Sequence, residues 1–206
     1  MTTALERIAA RTAARRDGTP ERCGVCAAVI APAHRHLLDE ADAVTCACPA
    51  CLLLFDRDGS GHYLVVPDRR IRLRPVSTDG LNVPVGLAFV VDQGDGRVVA
   101  HYPSPLGSTE AVVDASAWTS LVEQVPALST MRPRVEALLV RTNSRAAADE
   151  LWLVPIDDCF RLVAAIRQHW TGMSGGSAVW LAVARFFDDL ARTRHEVART
   201  TDEKES

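Results

Sequence analysis

The sequence predicts an α+β protein in which a small Cys-rich module precedes an antiparallel sheet packed by two or three helices. Five of the six cysteines fall within residues 23–51, in the pattern Cys-x-x-Cys followed by Cys-x-Cys-x-x-Cys. Short β-prone runs separated by turns rich in Gly and Asp occupy the middle of the chain. Two helical patterns with apolar residues on one face follow towards the C-terminus.

The chain divides into four predicted parts. An amphipathic helix is expected near the N-terminus and ends at Asp17-Gly-Thr-Pro20, a helix-stop signal. The last residues are polar and are expected to be disordered. The predicted organisation is an N-terminal helix over 1–20, a Cys-rich metal-binding module over 21–76, an α+β domain over 77–198 and a tail over 199–206.

Four cysteines have the spacing of one tetrahedral metal site: Cys23, Cys26, Cys48 and Cys51. Each Cys-x-x-Cys pair presents two thiolates from one tight turn, and folding brings the two turns together around an ion. Four thiolates leave no open position, which favours structural zinc in a zinc-ribbon-like module. The alternative cofactor is iron, in a rubredoxin-like site or an iron–sulfur cluster, since thiolates bind these equally well.

Three more residues near these pairs are candidate additional metal ligands: Cys46, His34 and His36. In an extended segment the two histidines would point the same way. They could replace a cysteine, bind a second ion or lie on a surface loop, and the surface loop is favoured. Cys46 is favoured as a bystander, although Cys46 and Cys51 could instead form the second half of the site.

The rest of the module contains two β-prone runs and an arginine stripe. Strands are expected over 51–55 and 62–66, joined by a hairpin over 56–61. A further strand would show Arg70, Arg72 and Arg74 to solvent. A solvated edge that deters strand pairing is the simpler interpretation, and a docking stripe for an acidic partner is the alternative.

The second unit has the pattern of a sheet followed by helices. Asp92-Gln-Gly-Asp-Gly96 is a hairpin signal, and Asp114 or Ser116 is expected to cap a helix that ends near Gln124. The carboxylates of Asp157 and Asp158 stand where a helix begins and need no catalytic role there. The expected strands are 83–91, 97–102, 111–113, 135–141 and 150–154, and the later helices are 156–170 and 179–197.

Composition excludes several classes of function. The formal net charge of −3 argues against a nucleic-acid binder. The sequence has no apolar run of about 18 residues that would span a membrane and no secretory h-region near its N-terminus. A cytoplasmic location is therefore expected, where clustered cysteines are metal ligands more often than disulfides.

Catalytic signatures such as His-Glu-x-x-His or a dinucleotide fingerprint are missing from the sequence, so we expect a protein that is not an enzyme.

Several blocks of the sequence resemble a known family. They include His34-Arg-His-Leu-Leu-Asp39, Cys46-Ala-Cys-Pro-Ala-Cys-Leu-Leu-Leu-Phe55, Val83-Pro-Val-Gly-Leu-Ala-Phe89, Tyr102-Pro-Ser-Pro105, Val154-Pro-Ile-Asp-Asp-Cys159 and His169-Trp170 with Ser174-Gly-Gly176. Over residues 20–190 the chain looks like an uncharacterised, mainly actinobacterial family of Cys-rich proteins. Its members are typically encoded beside high-affinity uptake nickel–iron hydrogenases.

The resemblance implies an accessory role around such a hydrogenase. That role would be assembly, maturation of a metal centre or relay of electrons, with a hydrogenase subunit or maturation factor as the protein partner. The resemblance supplies no catalytic residues. The expected function is thus a zinc-binding accessory or adaptor protein, with an electron carrier that uses the same cysteines as the alternative.

Overall fold

The computed structural model describes residues 20–58, 62–81, 86–142, 149–172 and 175–193. The helix expected before residue 20 and the tail expected from 199 lie outside these residues. Within them the chain forms an α+β fold of two antiparallel sheets and four α-helices. The predicted fold class is confirmed.

The first sheet belongs to the Cys-rich module and has three strands in the order β2-β1-β3. They are β1 (Arg35–Asp39), β2 (Val44–Ala47) and β3 (Tyr63–Val65). A tight turn joins β1 to β2, and the side chain of Asp39 closes it by accepting hydrogen bonds from the backbone N–H groups of Ala41 and Ala43. Strand β3 confirms the strand expected over 62–66, whereas the sequence pattern does not predict β1 and β2.

The strand expected over 51–55 is wrong, because this segment lies in helix α1 (Pro49–Asp58). Leu52 and Phe55 are three residues apart and pack in the module, while Leu53 and Leu54 are exposed. That periodicity is helical rather than alternating. The hairpin expected over 56–61 is also wrong for residues 56–58, because these residues lie in α1. Residues 59–61 lie outside the described part of the chain.

The second sheet has six antiparallel strands in the order β4-β9-β8-β5-β6-β7. The predicted hairpin at Asp92-Gln-Gly-Asp-Gly96 is confirmed and joins β5 to β6. Gly94 and Gly96 have φ angles of +79° and +86°, which favour glycine. The strands are β4 (Ile71–Arg72), β5 (Leu87–Asp92), β6 (Val98–Ser104), β7 (Gly107–Val112), β8 (Glu136–Arg141) and β9 (Glu150–Pro155).

Three helices lie close to the positions expected, one between β7 and β8 and two after β9. Helix α2 (Ala115–Gln124) is capped by Asp114, whose carboxylate accepts from two backbone N–H groups of the first turn. Helix α3 (Ile156–His169) starts directly after β9. Helix α4 (Gly176–Thr193) begins three residues before the predicted start. The predicted end at 197 lies outside the described residues.

The larger sheet is covered on both faces. Helices α3 and α4 pack on one face around Phe89 and the fully buried Trp152. Leu38, Val44 and Val66 of the small module join this same cluster, so the module and the larger sheet share a core. Helix α2 covers the opposite face. Among the described residues, no helix has the length and hydropathy needed to cross a membrane.

Strand β4 connects the two units more closely than the expected division at residue 76 implies. Ile71 and Arg72 pair with β9 of the larger sheet, and the backbone N–H of Leu73 donates to the carbonyl of Leu151 at 2.9 Å. The last part of the expected module is therefore an edge strand of the second sheet.

Candidate metal centre

Four sulfur atoms converge at one end of the small sheet. The Sγ atoms of the four predicted ligands all lie within 4.8 Å of one another, and those of Cys26 and Cys48 are 3.7 Å apart. Tetrahedral coordination with metal–sulfur bonds of about 2.3 Å requires sulfur separations of about 3.8 Å. Three of the thiols are buried and Cys26 is exposed. This donor set fits a zinc-ribbon-like metal site, which we call the four-cysteine centre (Cys23, Cys26, Cys48 and Cys51).

The first pair of ligands is held in a tight turn. The backbone N–H of Ala27 donates to the carbonyl of Cys23 at 2.9 Å, and the N–H of Cys23 donates to the carbonyl of Ala28 at 2.8 Å. Ala27 has a φ of +61°, the left-handed conformation for which glycine is the usual residue after a Cys-x-x-Cys pair. The turn therefore forms without glycine, although a Cβ makes this conformation costly.

Gly24 brings this turn against strand β2. Its backbone N–H donates to the carbonyl of Cys46 at 2.8 Å. A Cβ on Gly24 would lie 2.4 Å from Cγ2 of Thr45, which is far inside van der Waals contact. Only glycine allows the close approach that brings Cys23 and Cys26 to the other two ligands.

The second pair of ligands is placed by the start of α1 rather than by a turn that leads into a strand. Cys48 immediately precedes the helix, Pro49 takes its first position, and the N–H of Leu52 donates to the carbonyl of Cys48 at 3.0 Å. Proline suits that position because its missing N–H would have no partner there. The N-terminus of a helix also stabilises nearby negative charge, which favours thiolates.

The thiols of Cys23 and Cys51 have pKa values shifted in opposite directions. Burial raises the pKa of Cys23, but hydrogen bonds from the backbone N–H groups of Cys26, Cys48 and Val25 outweigh it and lower the pKa to about 6. Burial and the neighbouring sulfurs raise the pKa of Cys51 to about 12. A bound cation removes this conflict, since it stabilises all four thiolates together.

Cys46 is separate from the four-cysteine centre and lies beside the two histidines. Donor atoms of His34, His36 and Cys46 lie within 4.8 Å of one another. Burial alone would lower the pKa of His36, but Asp157 and Cys46 raise it to about 9. The surface-loop interpretation does not hold, because His36 belongs to β1 and the side chain of His34 is only 6% exposed.

The arginine stripe is only partly available for docking. Arg70 does not face solvent as expected, because its guanidinium donates to both carboxylate oxygens of Asp158, at 2.6 and 3.1 Å. Arg72 is half exposed and lies over the ring of Trp152. Arg74 is exposed. Arg72 and Arg74 are therefore available to a partner at the surface, whereas Arg70 is held inside the protein by its ion pair with Asp158.

Sequence reasoning missed the roles of Asp157 and Asp158. Asp157 accepts a hydrogen bond from His36 at 2.7 Å across 121 residues of sequence, and Asp158 pairs with Arg70. Their position at the start of α3 indicates only an interaction with the helix dipole, and no local pattern indicates either partner. Glu21 is also missed, although its carboxylate lies 3.7 Å from the sulfur of Cys46.

Comparison with known proteins identifies a family but no function. The model of DUF5947, described as a family of unknown function, matches residues 22–194. No curated protein and no solved structure gave a significant match. The matched range contains both sheets and every ligand of the four-cysteine centre. The chain therefore belongs to the DUF5947 family, a family of unknown function.

Proposed function

We propose that this protein is a non-enzymatic accessory or adaptor protein whose four-cysteine centre holds one zinc ion. The convergence of four sulfurs from one turn and from the start of helix α1 is the observation that supports it. A four-thiolate site is closed to substrate, so its ion acts on the fold rather than on a reaction. Here the ion would join the first turn, strand β2 and helix α1.

Zinc would stabilise the cysteine-lined end of the small module, which has only a small core of its own. Its own core cluster contains nine buried residues, and four of these are the cysteines 23, 46, 48 and 51. Small modules with such cores usually depend on a metal or on disulfides, and all six cysteines here carry free thiols. Structural zinc typically contributes apparent binding free energies of about 10–16 kcal/mol, enough to decide whether such a module folds.

Iron at the same thiolates is the alternative, and one observation favours it. Backbone N–H groups point at the sulfurs of Cys23 and Cys48, and such hydrogen bonds tune the potential of iron–sulfur sites. A rubredoxin-like or cluster-containing electron carrier would be coloured and would bleach on reduction. A colourless protein purified without oxygen would exclude this alternative.

The adaptor role requires a protein partner in the cytoplasm. Exposed apolar side chains on two helices support a docking function: Leu53 and Leu54 on α1, and Trp180 and Leu181 on α4. A hydrogenase subunit or maturation factor is the partner that the sequence resemblance suggests, and nothing in the fold itself selects it. Affinity capture with the full chain, compared with a Leu53→Glu/Leu54→Glu variant, tests the α1 surface.

The ligand assignment is tested by replacing one cysteine inside the four-cysteine centre and one outside it. Cys23→Ser is expected to lose the tightly bound metal and to lower thermal stability sharply, because three thiolates and a hydroxyl hold zinc poorly. Cys159→Ala is the matched control, since Cys159 is buried in the larger core rather than among the metal ligands. It should retain the metal. Full metal content in Cys23→Ser would refute the assignment.

A further inference from the structure

We propose that His34, His36 and Cys46 form a second metal site, which takes an exchangeable divalent transition-metal ion such as Zn²⁺. This mixed-ligand site (His34, His36 and Cys46) is distinct from the four-cysteine centre and does not depend on the identity of that centre's ion. The donor atoms of the three residues lie within 4.8 Å of one another. Two imidazoles and a thiolate suit zinc and neighbouring divalent ions.

The sheet itself places the three side chains together. His36 and Cys46 are direct partners in the antiparallel β1–β2 pair. Directly opposed residues have side chains on the same face, and the residue two positions along points the same way in extended chain. His34 therefore joins the pair from the chain entering β1, and its ring meets that of His36 edge to face with centroids 5.0 Å apart.

Both histidines are oriented as metal ligands usually are. The Nδ1 of His34 lies 2.8 Å from the backbone carbonyl of Ala31, and the Nδ1 of His36 lies 2.7 Å from a carboxylate oxygen of Asp157. A histidine bound to metal almost always donates its other ring N–H to a carbonyl or a carboxylate. These two contacts fix Nδ1 as the donor in each ring and leave Nε2 for an ion.

The Nε2 atom of His34 lacks a partner among the described residues. It is buried without a hydrogen bond, in a side chain that is only 6% exposed. A buried polar atom without a partner costs free energy and is uncommon in folded proteins. A metal ion beside Cys46 would satisfy it.

The surroundings balance the charge and leave one coordination position open. Binding of a divalent ion would displace the proton that His36 carries at neutral pH, since the pKa of His36 is raised to about 9. The ion bound by one thiolate and two neutral imidazoles then retains one positive charge. The carboxylate of Glu21 lies 3.7 Å from the sulfur of Cys46 and 3.8 Å from His34, and it supplies the opposite charge. All three ligands line a cavity of about 690 Å³. Three protein ligands with an open fourth position are typical of sites whose ion reacts or exchanges.

The test is a metal titration of the full chain with Co²⁺, which replaces zinc and reports its ligands by absorption. We expect two equivalents per chain, of which EDTA removes one. The removable cobalt should show sulfur-to-metal charge transfer about a quarter as intense as the retained one, because one thiolate binds it instead of four. His34→Gln should lose the removable equivalent and keep the other.

Controls separate the second site from the four-cysteine centre and from a folding defect. His62→Gln changes an exposed histidine, 84% accessible, elsewhere in the module and should bind two equivalents. Asp157→Asn should weaken the removable equivalent roughly 10- to 100-fold by disturbing the orientation of His36. Cys46→Ser provides a second loss of ligand should His34→Gln fold poorly by circular dichroism.

Two results would overturn this proposal. One is a wild-type chain that binds no EDTA-sensitive equivalent, and the other is two equivalents in folded His34→Gln or folded Cys46→Ser. A chain that keeps only the EDTA-sensitive equivalent would instead refute the four-cysteine centre and leave the mixed-ligand site standing.

Discussion

Gly24 determines how closely the first metal-binding turn approaches the small sheet. The predicted ligands follow from their spacing, because two Cys-x-x-Cys pairs about 20 residues apart are typical of one tetrahedral metal site. The fit between Gly24 and Thr45 is a contact between the first metal-binding turn and strand β2, so the sequence alone does not reveal it. The sequence does not reveal the left-handed conformation of Ala27 either, since alanine gives no turn signal.

A methyl group at position 24 should loosen the first turn. Gly24→Ala places a Cβ 2.4 Å from Cγ2 of Thr45, and overpacking of this kind costs about 1–3 kcal/mol. Thr45→Ser removes only that methyl group, so the double variant should recover most of the lost free energy of unfolding. Urea denaturation of the two single variants and the double variant measures this coupling. Additive effects in the double variant would show that the contact is not the cause.

At the scale of elements, the sequence predicts the larger sheet well and the small module poorly. Strands β5, β8 and β9 lie almost wholly in the apolar core, so pattern and burial agree there. Strand β7 is exposed after its first residue, and the sequence pattern predicts only its end. In α1 the run Leu52 to Phe55 is β-prone in composition, and its helical periodicity is visible only over four residues. Strand β1 contains Arg35 and His36, whose polar character hides an extended segment.

His101 of strand β6 makes the stability of the protein depend on pH. His101 stacks on Phe89 with ring centroids 4.7 Å apart. Burial lowers the pKa of His101, although Glu110 and Asp42 act in the opposite direction. The unfolded chain therefore binds the proton more tightly than the native protein does. The stability that results is complete above about pH 6.5 and is lost as the pH falls through the lowered native pKa.

His101→Gln should flatten this dependence. We expect the free energy of unfolding of the wild type to fall more steeply than that of the variant between about pH 7.5 and pH 5. Chemical denaturation of both proteins across this range gives the difference, in which other titrating groups cancel. Identical slopes for the two proteins would mean that His101 is protonated equally well in the folded and unfolded states.

At the scale of the whole molecule, two contacts from the first turn of α3 join the small module to the larger sheet. Asp157 binds His36, and Asp158 binds Arg70. The sequence shows which of these residues are charged, but pairs separated by 88 and 121 positions have no local signature. For this reason the predicted arginine stripe includes a residue that belongs to the interior, and the expected boundary at residue 76 falls beyond strand β4.

Loss of Arg70 should destabilise the molecule much more than loss of Arg74. Arg70→Ala leaves the buried carboxylate of Asp158 with Arg161 as its remaining ionic partner among the described residues. Breaking a buried pair typically costs about 3–5 kcal/mol, and the remaining Arg161 contact should keep the loss at the lower end of that range. Arg74→Ala, on the exposed side of the same segment, should change the free energy of unfolding by less than about 0.5 kcal/mol. Equal effects in urea denaturation would argue that the Arg70–Asp158 pair contributes no net stability.

The most direct test of the account is the metal content of the full chain, purified without oxygen or chelator and then treated with EDTA. Elemental analysis with an absorption spectrum should find one retained zinc per chain in a colourless protein. Cys23→Ser should lose that zinc, and Cys159→Ala should keep it. A folded wild-type protein that retains no metal, or that retains iron with visible charge-transfer bands, would contradict zinc in the four-cysteine centre.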